Sequence, residues 1–345
     1  MLLAGCTTLN YYAQAGYGQY ELWSEARPID EWLSDARTDK RLRARLQKAQ
    51  QIRRYAVATL GLPDNGSYKT YAPLRRPYVL WAVVATPELS LKPLRWCFPI
   101  AGCVAYRGYY DRGDARKFAA ELRAQGYDVQ VSGVPAYSTL GWFDDPLIST
   151  FINYPDAELA RLIFHELSHQ MSYIPGDSAF NESFATAVEE AGLQRWLDEH
   201  GDERLRDAYA TYASRKRDFL ELLLRARRKL AAVYAAGASD DERRAGKAEV
   251  FRQLKEEYAG LRQAWGGYAG YDRFFAEPLS NAHLASVATY NDHVPGFRAL
   301  LARERTFPRF YDAVRKLAAL DKQERDRQLA GLARGAAPLV PAARE

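Results

Sequence analysis

Between His165 and Ala185 the chain reads HELSHQMSYIPGDSAFNESFA, and two of its five histidines fall there, four residues apart around a glutamate. Tyr154-Pro155-Asp156 opens a helix, with proline in the first turn and an acid where the macrodipole favours one. Leu159, Leu162, Ile163 and Leu167 give that helix a buried side. His165 and His169 then share a face, with Cβ atoms about 5–6 Å apart, close enough to bind one tetrahedral Zn²⁺. Glu166, rotated round the helix, is placed to reach a water in the fourth position as general base. Two histidines alone hold zinc poorly, so the reading depends on a third ligand. A turn-rich connection with Pro175, Gly176 and Asp177 leads to a second helix that opens Asn181-Glu182-Ser183-Phe184-Ala185. Packed antiparallel, it aims Glu182 back at the histidines. Glu189 and Glu190 compete for that role from two turns further along, and either is available to hydrogen-bond a ligand histidine instead.

Working outward, the pattern predicts an α+β fold. Thr38–Leu60 reads as an amphipathic helix, with Leu42, Leu46, Ala49, Ile52, Ala56 and Leu60 on one face and Gly61 and Pro63 as the stop. Strands are expected at Tyr78–Ala85, Val104–Tyr110 and Asp128–Val131, with a helix at Asp114–Gln125. This N-terminal half reads as a mixed sheet with helices packed on it. From Pro155 the pattern is helical almost to the end, and Asp202–Ala236 and Asp240–Ala264 read as a long αα-hairpin turning at Gly237. The chain divides into a tether at 1–25, one catalytic unit at 26–335 and a loose tail at 336–345. Within the unit, 26–154 is the α+β part, 155–200 the metal-site helices, 201–265 the hairpin and 266–335 a helical C-terminal part. No internal repeat or low-complexity linker interrupts it.

Composition narrows the partners. Apolar residues make up 48% and charged residues 26%, and 48 basic against 43 acidic residues leave only +5. The basic residues are interspersed with acidic ones, so there is no nucleic-acid signature. No run approaches the roughly 18 apolar residues a membrane-spanning helix needs. Leu3-Ala4-Gly5-Cys6 matches the end of a bacterial lipoprotein signal, which makes Cys6 a lipidation site and implies a start upstream of Met1. Thr7, in place of an aspartate, favours export to the outer membrane, so the expected address is the periplasm-facing cell envelope, with membrane contact only through the lipid. Cys97 and Cys103 bracket a turn and suit a disulfide in an oxidising compartment; the alternative is a pair of buried thiols.

At these residues the chain resembles the gluzincin metallopeptidases, in which two histidines and a glutamate from the next helix bind zinc. With LAGC, WCFPIAGCVAYRGYYD, STLGWFDDP, LIFHELSHQ, GDSAFNESFA and LSNAHLASVATYNDHVPGF, it is similar over residues 3–297 to a family of bacterial zinc aminopeptidases. The gap from His169 to Glu182 is shorter than in the best-known gluzincins. The resemblance implies one Zn²⁺, a peptide substrate, and hydrolysis by a metal-activated water with Glu166 as base. For the oxyanion donor, Tyr290 is the first candidate and His293 the second. In gluzincins a strand before the metal helix pairs with the extended peptide. The stretch Ala136–Leu147 sits in that place, with Gly141 permitting close approach and Asp144 or Asp145 receiving a free amino group. Two other classes stay open: a zinc endopeptidase or amidase of the envelope, and a non-catalytic zinc-binding envelope lipoprotein. Glu166 argues against the last, since a structural site has no need of a base.

Overall fold

The computed structural model describes residues 3–99, 102–237, 239–289 and 292–335. The chain begins α1 (Leu3–Ser24), β1 (Arg27–Pro28), α2 (Ile29–Ser34), α3 (Lys40–Ala58), β2 (Thr70–Ala72) and β3 (Leu80–Pro87). It continues β4 (Trp96–Phe98), β5 (Gly102–Val104), β6 (Arg107–Tyr109), α4 (Arg112–Ala124), β7 (Tyr127–Val134) and β8 (Leu147–Ile148). Helices follow: α5 (Asp156–Ser168), α6 (Ser178–His200), α7 (Glu203–Ala235), α8 (Asp240–Ala264) and α9 (Asn281–Thr289). The last are α10 (Val294–Glu304), α11 (Phe307–Ala318) and α12 (Lys322–Gly335). The fold is α+β, and among the described residues all the strands precede α5. No helix among the described residues is long and apolar enough to cross a membrane. The tail at 336–345 lies outside the described residues.

Local chemistry explains the boundaries. Asp39 caps α3 by accepting from the Arg41 and Leu42 amides, so the helix begins after Thr38. The strand expected at Val104–Tyr110 is two: β5 pairs with β4, whereas β6 pairs with β3, and the chain turns between them at Ala105 and Tyr106. The strand expected at Asp128–Val131 extends to eight residues because β3 pairs with it throughout, from Leu80 opposite Val134 to Pro87 opposite Tyr127. Gly133 belongs there for a steric reason: a Cβ on it would lie 2.2 Å from the Tyr78 ring.

Three small sheets result: β6-β3-β7, β1-β2-β8 with its parallel β2–β8 pair, and the β4-β5 hairpin. Strand alternation gives β6-β3-β7 two faces. Trp81, Val83, Ala85 and Val129 pack with Ala115, Ala119 and Leu122 of α4. The opposite face carries Ala82, Val84, Gln130, Ser132 and Val134 and looks toward α6 and α9. The largest core joins α3, α5, α6, α10 and α11 around Leu46, Ile52, Phe164, Phe184, Phe297 and Phe310. The αα-hairpin has its own core of Phe219, Leu222, Leu230, Phe251 and Leu254, turns at Gly237 (φ +64°) and restarts with a capping box between Ser239 and Glu242. Lys247 of α8 meets Asp128 of β7 at 2.7 Å and ties the hairpin's turn end to the sheet.

Candidate metal centre

α5 and α6 pack against each other, and the connection between them is built to fix the start of α6. Asp177 caps α6 through the Phe180 amide and forms a buried ion pair with Arg325 of α12 at 2.7 Å. The Asn181 amide side chain accepts from the Ile174 amide at 2.8 Å and donates to the Ile174 carbonyl at 2.9 Å, closing the loop on itself. Glu182 follows on the next residue and faces α5. Its Oε2 lies 3.3 Å from His165 Nε2 and 3.8 Å from His169 Nε2, and one donor atom from each of the three residues falls within 4.8 Å of the others. A zinc tetrahedron with bonds near 2.1 Å has edges of about 3.4 Å. The 3.3 and 3.8 Å separations from Glu182 lie near that edge, so the three residues form a candidate metal site.

The surroundings set the protonation that ligands need. Glu189 Oε2 sits 2.8 Å from His165 Nδ1. A carboxylate only accepts, so Nδ1 carries a proton and donates it to Glu189, which turns Nε2 toward Glu182. Arg161, one turn before His165, braces Glu189 with Nη1 at 3.0 and 3.1 Å from its two oxygens. Burial opposes the Glu189 charge, but Arg161 and His165 outweigh it and hold the carboxyl well below its usual range. Burial also works against a charged His165, yet hydrogen bonds to Glu182 and Glu189 push it up to about 10. Burial draws His169 down to about 4 and keeps it neutral. Glu182 stays ionised because His169 and His165 outweigh its burial. Glu166 is buried beside the cluster without being part of it, and that burial raises its carboxyl to about 7 despite the pull of His165.

The other candidates fall in different places. Glu190 pairs with Arg298 and stands apart from the cluster. His293 donates its backbone amide to Ser183 Oγ at 3.2 Å, while its ring meets Asp326 of α12 at 3.3 Å. Tyr290 lies outside the described residues. The Gly141 loop abuts the end of α5, where a Cβ on Gly141 would be 3.8 Å from Gln170 Cγ; its φ of +79° is what requires glycine. Gln170 accepts from Asn65 at 2.6 Å and donates to Ser67 Oγ at 3.1 Å, and the Asp145 amide donates to the same Ser67 oxygen. Asp145 itself is buried, accepting from the Thr139 amide at 2.9 Å, whereas Asp144 is exposed. Cys97 and Cys103 are joined in a disulfide across β4-β5. The expected tether is helix α1 from Leu3, whose Leu22 enters the main core.

Two groups escaped the sequence reading. Arg161 was signalled only by its position one turn before His165, on the face that carries the ligand. Tyr106, which lines a cavity with Glu182, gave no local signal, since it reaches the site from a turn between strands of different sheets.

The family described as "Putative aminopeptidase" matches residues 10–329, nearly the whole chain. The chain belongs to this family. No curated protein and no solved structure matches it. The family match spans α1 to α12 and so includes the His165, His169 and Glu182 cluster together with the sheet that faces it.

Proposed function

We propose that the chain is a zinc-dependent aminopeptidase of the bacterial cell envelope. The observation that carries this is the convergence of His165, His169 and Glu182 on one point, with Glu166 buried next to them and left out of the ligand set. Bound there, Zn²⁺ would supply a Lewis acid and a water that loses its proton near neutral pH. Glu166, raised to about 7 by burial, suits a base that takes a proton from that water and passes it to the leaving amine. Glu189, braced by Arg161, accepts the Nδ1 proton of His165, so Nε2 is the nitrogen that would meet the metal on giving up its own proton. Tyr290 remains the proposed oxyanion donor; the His293 ring is engaged with Asp326. Asp144, exposed beside the Gly141 loop, is better placed than Asp145 to receive a free amino group. Lipidation at Cys6 would hold the enzyme at the membrane.

Metal content, with hydrolysis of aminoacyl arylamides beside internally quenched peptides, tests this reading. One zinc per chain and cleavage that requires a free N-terminus are expected. Cleavage of blocked peptides would make it an endopeptidase, and zinc with no hydrolysis would make the centre structural.

A further inference from the structure

A cavity of about 190 Å³ adjoins the metal cluster, and Glu182 is part of its wall. One side is the sheet face bearing Ala82, Val84 and Val134, and Ala285 of α9 also contributes. Ala105 and Tyr106, from the turn after the disulfide hairpin, line it as well. Among the described residues the lining holds no lysine, arginine, histidine or aspartate, and its one charged side chain is Glu182, engaged with His165 and His169. Gln130 and Ser132 project from β7 into the same space, and neither side chain hydrogen-bonds another group among the described residues.

We infer that this cavity receives the side chain of the substrate residue at the metal, and that it selects neutral side chains of leucine, methionine or phenylalanine size. The inference rests on the aminopeptidase reading and adds the substrate class to it. Size is the first argument. An apolar cavity of about 150 Å³ holds a benzene ring, so this one has room for an isobutyl or benzyl group. Charge is the second. An ammonium or guanidinium side chain would enter without an unengaged carboxylate to meet it, and a carboxylate would enter beside Glu182, so either is left desolvated and unpaired. The third is position. The β3 part of the wall is buried on both faces from Trp81 to Thr86, with Val83 behind it fully buried, so packing on its far side holds it in place. Gln130 and Ser132 offer hydrogen bonds to a neutral polar tip but no charge.

The experiment compares leucine, alanine, lysine and aspartate arylamides on the zinc-loaded enzyme, with calorimetric titration of the corresponding amino-acid amides as a readout independent of turnover. In the wild type, kcat/KM for leucine should exceed that for lysine and aspartate by about 100-fold or more. Ala82→Phe, which fills the pocket, should lower leucine at least about ten-fold and leave alanine within about three-fold. Ala105→Phe, at a half-buried position in the turn between β5 and β6, repeats the test should the strand variant fold poorly. Wild-type preference for lysine or aspartate, or equal loss of leucine and alanine in variants of unchanged Tm, would overturn the pocket. Absence of all hydrolysis, with leucine amide still bound and that binding lost in Ala82→Phe, would keep the pocket and end the peptidase reading.

Discussion

Glu166 and Asp145 are two buried carboxyls near one site, and their neighbours give them different work. Glu166 has a raised carboxyl next to the ligands and outside their set. Glu166→Gln should therefore keep the full metal content while kcat falls by about 10²–10⁴-fold, read by atomic absorption beside arylamide turnover. Glu182→Ala should lose the metal itself; zinc retained in that variant would move the third ligand elsewhere. Asp145 is held up to about 6, chiefly by burial, although bonds from Thr139 and Ser138 pull it down. The folded chain thus binds this proton more tightly than the unfolded chain. The contribution is complete below about pH 4 and is lost as pH rises through about 6, a difference of up to about 3 kcal/mol. Asp145→Asn keeps the acceptor for the Thr139 amide and abolishes the ionisation. Its Tm should exceed the wild type's at pH 8 and converge with it near pH 4. An unchanged difference across that range would show that the loop does not hold the carboxyl as described, and a raised KM would return Asp145 to the substrate.

Among the elements, the α5–α6 pair holds the candidate metal site, and the residues that brace it are placed as specifically as those that line it. Arg161→Met would leave Glu189 buried without its strongest partner. Zinc affinity should drop about 10–100-fold, measured by chelator competition, with kcat at saturating zinc changing less than the affinity does. Equal affinity in variant and wild type would make Arg161 a packing residue. The metal pair was legible in the sequence because helical periodicity fixes what lies four residues apart, and a short connection leaves few ways to bring Glu182 back to α5. That Glu189 could brace a ligand histidine was legible for the same reason, though choosing it over Glu190 required the rotation of α6 against α5. The hairpin α7–α8 was legible from long amphipathic periods around Gly237. The cavity wall was not. Which face of β3 meets α6 depends on a pairing with β7 across about fifty residues, and no local pattern encodes it. The break between β5 and β6 was hidden likewise, since it arises from joining two sheets and both halves read as strand.

At the scale of the molecule, the disulfide hairpin is also a strut for the metal site. Gly102 packs so tightly on the α5–α6 connection that a Cβ there would lie 2.6 Å from the Gly176 nitrogen. Arg95 bridges the two, donating to the Cys103 carbonyl at 2.5 Å and the Gly176 carbonyl at 2.7 Å. Cys97→Ser with Cys103→Ser should loosen the connection that aims Glu182, so zinc affinity should fall several-fold and Tm by several degrees, consistent with about 2–3 kcal/mol for closing so short a loop. Chelator competition and calorimetry would show it; unaltered affinity would confine the disulfide to stability. The shortness of the α5–α6 connection has a further effect on how such a protein can change over generations. The candidate ligands and base all lie within 165–182, whereas the cavity wall is drawn from 82–134, 178, 182 and 285. Apart from Glu182, which serves both, mutations that retune what is accepted fall on different codons from those that would extinguish the centre. On the proposed function, a lineage can therefore diversify its diet while inheriting one unaltered reaction.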